Sequence, residues 1–240
     1  MGVCVSNSKV AIIQPSTQYS KGRDVFYSVE TLKEYELLGL SEMDVEHFVD
    51  VFLVLKPDEV TVTVPIKNIV YLLDIESSSH VMALVFNKLA SVKSNAGLTF
   101  REFVVFSWKF LSMSNTELID FAFDCLSVGA ESGLMTNKSL LAGVIAVHGD
   151  YSQNYSCESS IYHLMKLINE SENGSLDRSV FRDTVRHIAA LVMPIFSAYS
   201  KMREAIFGIR FWQLREVQAV RIKREPAVVD LMSRIQQSWI

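Results

Sequence analysis

Four amphipathic segments recur along the chain at intervals of about 36 residues, each followed by a short polar connector and then a second apolar segment. No other feature constrains the fold as strongly. In SEMDVEHFVDVFLVL, Val45, Phe48, Phe52 and Leu55 fall three or four residues apart with acids between them. HVMALVFNKLA repeats the pattern with Val81, Leu84, Val85 and Leu89, ELIDFAFDCL with Leu118, Phe121 and Leu126, and SIYHLMKLI with Ile161, Leu164, Leu167 and Ile168. This spacing predicts helices with one apolar face. A single helix–connector–helix unit cannot bury that face alone, so the units are expected to pair. Five prolines and ten glycines are too few for an all-β chain rich in turns. The expected fold is therefore all-α, with two paired lobes.

The connectors begin near Lys56, Ser91, Ser127 and Asn169, and the last three carry Leu98, Leu134 and Leu176 at their eighth position. Phe103 and Phe181 follow the twelfth position in two of them. Helix, twelve-residue loop, helix is the EF-hand unit. Over residues 40–190 the chain resembles the EF-hand superfamily, in particular the four-hand calcineurin-B and neuronal-calcium-sensor branches. The segment MPIFSAYSKMREAIFGIRFW is similar to a C-terminal extension of EF-hand proteins of single-celled eukaryotes. The resemblance implies short β-ribbons between paired loops, with Leu98 opposite Val62 or Val64 and Leu134 opposite Leu176.

The resemblance also implies a calcium ligand set at loop positions 1, 3, 5, 7, 9 and 12. The candidates are Ser91, Asn95, Thr99 and Glu102 in the second loop, and Asn169, Ser171, Asn173 and Asp177 in the fourth. Both sets are defective. Lys93 brings a cation to the second site, where Ala96 replaces the turn glycine, and Val180 stands where the fourth needs a bidentate acid. The third loop, SVGAESGLMTNK, closes on Lys138. The first, KPDEVTVTVPIK, opens at Lys56 or Pro57 and closes at Lys67 or Asn68, with no acid at either closing position. Calcium is expected to bind weakly or not at all. The alternative is a genuine calcium sensor acting through the second hand, the fourth, or both.

The N-terminus, MGVCVS, places Gly2 and Ser6 in the N-myristoylation pattern. One acyl chain anchors only marginally, and Cys4 is suited to accept a palmitate. Lys9, Lys21 and Arg23 are too sparse for a polybasic patch. The other view of this stretch is an unmodified tail. With the acyl chains, the chain is expected at the cytoplasmic face of a membrane, plasma, flagellar or ciliary. Three scattered cysteines give no disulfide framework and suit a reducing compartment. The longest apolar run, IAALVMPIF, is too short to span a bilayer. A net charge of −4 gives no general attraction to nucleic acid. No phosphate loop, GxSxG elbow or HExxH pair occurs, so neither an enzyme nor a small-molecule substrate is expected.

Residues 201–224 hold seven basic side chains against Glu204 and Glu216. They form either a solvated face over a packed stripe or a contact with anionic lipid. After Pro226, a last helix aligns Val228, Leu231, Ile235 and Trp239, to lie in a groove of its own lobe or of a partner. Candidate partner or lipid contacts are Arg210, Trp212, Arg215, Arg221, Lys223, Arg224, Leu231, Ile235 and Trp239. The expected organisation is a tether over 1–28, hand pairs over 29–112 and 113–192, and a basic helical extension over 193–240. The expected function is regulatory or scaffolding, through a partner that presents an amphipathic helix.

Overall fold

The computed structural model describes residues 26–58, 62–72, 79–90, 97–130, 133–149 and 155–237. It is all-α. Among the described residues twelve helices run in chain order: α1 (Val29–Leu37), α2 (Glu42–Val54), α3 (Ile66–Leu72), α4 (Ser79–Ala90), α5 (Phe100–Leu111), α6 (Asn115–Leu126), α7 (Asn137–His148), α8 (Tyr155–Glu170), α9 (Arg178–Thr184), α10 (Ala189–Ala205), α11 (Ile209–Ile222) and α12 (Pro226–Gln237).

Helix starts are set by short polar side chains that satisfy orphan N–H groups. Ser41–Asp44, Thr99–Glu102, Ser114–Glu117 and Thr136–Ser139 each form a reciprocal capping box. Such a cap is worth about 1 kcal/mol. From these starts, the apolar stripes turn inward. Val45, Phe48 and Phe52 of α2 and Phe103, Phe106 and Phe110 of α5 are fully buried. Phe52 packs edge-on to Phe100 at 5.4 Å, and Phe86 stacks on Phe106 at 4.2 Å. One apolar cluster runs from Tyr35 to Leu231, across the expected lobe boundaries. α4 packs on α7, which joins the two halves, and α6 packs on α7 most closely. Gly143 makes that approach feasible, because a Cβ there would enter the backbone of Leu126.

Among the described residues the β pairing consists of two isolated antiparallel bridges, Val64 with Leu98 and Met135 with Leu176. Each pair exchanges two N–H···O bonds, at 2.8 and 2.9 Å for the first and 2.8 Å for both in the second. Leu98 thus meets Val64 rather than Val62. Met135, not Leu134, is the partner of Leu176, a one-residue shift that flips the side chain across the pleat. In every unit the outgoing helix begins two residues after the bridged one: Ile66 after Val64, Phe100 after Leu98, Asn137 after Met135 and Arg178 after Leu176. Counting back by the Ser91-to-Leu98 interval sets the first connector at 57–68. The third becomes 128–139, closing on Ser139 instead of Lys138.

α10 begins before the expected boundary at 193 and carries Pro194 in its interior. It packs against α4, α5, α6, α7, α8 and α11. The extension therefore supplies a central helix of the core.

Candidate partner-facing and membrane-facing sites

The carboxylates proposed as calcium ligands are engaged in helix capping. Glu102 Oε2 accepts from the Thr99 N–H at 2.7 Å and the Thr99 hydroxyl at 2.8 Å. Asp177 Oδ1 accepts from the backbone N–H groups of Ser179 at 2.8 Å and Val180 at 3.0 Å, and from the Ser179 hydroxyl at 2.6 Å. Those bonds hold the Asp177 carboxyl below its ordinary value. Asn169 Oδ1 accepts from Asn137 Nδ2 at 2.7 Å. Ser171 donates to the Ile168 carbonyl at 2.7 Å and accepts from the Ser175 N–H at 2.9 Å. Asn173 is exposed in the connector turn. Among the described residues no group of three or more His, Cys, Asp or Glu side chains could hold a metal ion. Ser91 and Asn95 lie outside the described residues, as do Gly2 and Cys4.

In the first connector the closing residue ties the two helices directly. Asn68 Nδ2 donates to the Leu55 and Lys56 carbonyls at 2.9 and 3.2 Å, at the end of α2. The third closes on Ser139, whose Oγ accepts from the Thr136 N–H at 2.8 Å.

The basic extension divides into an inward and an outward set. Arg203, 6% exposed, donates from Nε to the Leu111 carbonyl at 2.8 Å and from Nη2 to the Met113 carbonyl and Glu216 Oε2, both at 3.2 Å. Its guanidinium lies 4.2 Å over the Tyr199 ring, and the Tyr199 hydroxyl donates to the same Met113 carbonyl. Lys223 donates to the Ser112 carbonyl at 3.3 Å and to Glu117 Oε1 at 2.9 Å. These groups satisfy the orphan carbonyls at the negative end of α5. Burial pushes the Glu117 carboxyl up, but the Ser114 N–H and Lys223 outweigh it and hold the group below its ordinary value. Arg215 donates to the Gly39 carbonyl, pairs with Asp44 at 2.9 Å and sits 5.0 Å over Phe211.

Trp212 is fully buried, and its indole N–H donates to the Ile206 carbonyl. The turn that brings it there holds Phe207 at φ 70, next to Gly208 at φ 83. A left-handed Phe costs about 1–2 kcal/mol. The ring offsets this by stacking on Phe211 at 4.1 Å and packing on Phe48 at 4.9 Å. Trp212, Arg215, Lys223 and the buried Leu231 thus contact this chain itself, whereas Arg210, Arg221 and Arg224 are exposed. Ile235 lies in α12, and Trp239 is outside the described residues.

α12 packs against α1, buries Val228 and Leu231, and borders a cleft of about 510 Å³. Leu89, Trp108, Met113, Phe121, Val229 and Met232 give the cleft an apolar lining, with Glu117, Asp120 and Asp124 along one wall. Asp120 is held by Arg182 in a bidentate pair and Asp124 by Arg178. Sequence reasoning did not find this cleft, because the consecutive helices α4, α5 and α6 form one side of it and α12, distant in the chain, the other.

A second juxtaposition also escaped it. Cys157 lies 3.7 Å from His148 Nδ1, while His148 Nε2 sits 3.0 Å from the Leu191 carbonyl. Burial pushes the thiol up and the imidazole down, so both groups are driven toward their neutral forms. With Cys157 only 5% exposed, the pair is packing rather than an activated nucleophile.

Comparison with protein-family models, curated proteins and solved structures finds no match to this chain.

Proposed function

We propose that the chain is a non-catalytic regulatory or scaffolding protein built from four degenerate EF-hand units in two pairs. It is tethered to the cytoplasmic face of a membrane through Gly2 and Cys4 and binds an amphipathic helical segment of a partner, with calcium dependence weak or lost. One observation carries the EF-hand part. Windows 57–68, 91–102, 128–139 and 169–180 share one frame, with the bridged residue eighth and the outgoing helix beginning at the tenth. The loss of calcium dependence is supported at the closing position of that frame, where Asn68, Ser139 and Val180 cannot act as bidentate acids. The fourth, Glu102, bonds to its own helix cap. Helix-binding is supported by the apolar cleft beside α12, whose mixed lining suits the apolar face of a short helix.

Calorimetric titration of the purified chain with calcium tests the metal part. No saturable heat is expected at sub-millimolar calcium. Saturable heat that disappears in Glu102→Gln or Asp177→Asn would instead make the protein a calcium sensor. For the tether, Gly2→Ala is expected to move the protein to the soluble fraction when membranes of its native cell are washed at high salt, which screens any contact made by charge. Retention in the membrane fraction would remove acylation from the proposal.

A further inference from the structure

We propose that the outer face of α11 is a docking surface for an anionic lipid bilayer. Arg210, Leu214, Val217 and Arg221 recur at three- and four-residue spacing, so they form one stripe along the helix, and Arg224 follows in the turn just past its end. The opposite side carries the buried Trp212 and Ala219, which fixes the stripe outward. Leu214 and Val217 are 71% and 77% exposed, with Ile209 and Val220 beside them at 44% each. Arg203, Arg215 and Lys223 are consumed inside the fold. The side chains of Arg210, Arg221 and Arg224 make no hydrogen bond or ion pair among the described residues. The result is an apolar centre bracketed by guanidinium groups on a helix that lies on the outside of the body.

An interfacial helix needs this composition: aliphatic side chains that enter the acyl boundary, and arginines long enough to reach the headgroup phosphates beside them. The charge selects an anionic surface, and the convex aliphatic ridge suits a bilayer, which can deform around it, better than a flat rigid partner. The basic residues of the sequence point to this segment, and the structure sorts which of its side chains face outward. Leu214 and Val217 belong to the surface; Trp212, Arg215 and Lys223 do not. The inference rests on the membrane-tethered reading for its cellular setting, and the non-acylated chain separates the two.

The test is co-sedimentation of the full-length Gly2→Ala chain with vesicles of phosphatidylcholine, alone or mixed with phosphatidylserine. Binding is expected only to the mixed vesicles and should weaken as salt rises. Arg210→Gln/Arg221→Gln/Arg224→Gln should lower the partition coefficient by roughly 100-fold, from three basic groups near the surface. Leu214→Gln/Val217→Gln should lower it by roughly tenfold or more. All five positions are exposed, and circular dichroism with urea unfolding verifies that each variant keeps its fold.

Failure to bind the mixed vesicles, equal binding to both compositions, or binding unaffected by the substitutions would overturn the proposal. A concentration-dependent dimer in analytical ultracentrifugation, abolished by Leu214→Gln/Val217→Gln, would overturn it in favour of a second copy of the chain. Vesicle binding together with membrane retention of Gly2→Ala in cells would remove the acyl tether and leave the α11 surface standing.

Discussion

Replacing Arg203 by methionine is expected to lower the unfolding free energy by about 3–5 kcal/mol, read as a shift of the urea midpoint. The side chain is 6% exposed and bonds the Leu111 and Met113 carbonyls and Glu216. Methionine fills much of the volume but leaves the Leu111 carbonyl and the Glu216 carboxylate without the Arg203 donor, while the Met113 carbonyl keeps only the Tyr199 hydroxyl. Glu216 retains 27% of its side-chain exposure, so water repairs part of the loss and the lower end of the range is expected. Lysine keeps the charge without the planar fork and should rescue only in part. The exposed Arg224→Ala serves as the comparison, with an effect within about 0.5 kcal/mol of zero. A loss below about 1 kcal/mol for Arg203→Met would show that this network does not hold the extension in place.

Trp212→Ala should be about as damaging, at about 3–5 kcal/mol by the same measurement. A fully buried indole is lost, together with its bond to the Ile206 carbonyl and its edge contacts with Phe207 at 5.9 Å and Phe211 at 5.1 Å. The sequence pattern had offered Trp212 as a partner or lipid contact. The two assignments separate cleanly. A contact residue would lose vesicle or partner binding with stability nearly unchanged, whereas a core residue loses stability first.

The helices were legible because their stripes are strong. Val45, Phe48, Phe52 and Leu55 recur three or four residues apart, and all are buried. Thr99 and Glu102, which the loop pattern offers as calcium ligands, form the capping box of α5 instead. The third connector slipped by one because Leu134 and Met135 are adjacent and both apolar, so hydrophobicity cannot choose between them. The backbone bridge to Leu176 does choose. The fate of the basic residues was hidden for a different reason. Arg215 finds Asp44, Lys223 finds Glu117 and Arg203 finds the Leu111 carbonyl, each across a long sequence separation. Composition gives the charge of such a segment, but only tertiary proximity says which charges are consumed. The cleft beside α12 stayed invisible on the same grounds.

The placement of α10 matters for how the protein is made. Ribosomes deliver a chain from its N-terminus at about 5–20 residues per second. Every helix from α4 to α8 leaves the exit tunnel before the one that covers it. Nascent chains must therefore carry Phe110, which packs on Tyr199, and the neighbouring apolar side chains uncovered until residues 189–205 arrive. Molecular chaperones have that interval in which to engage it.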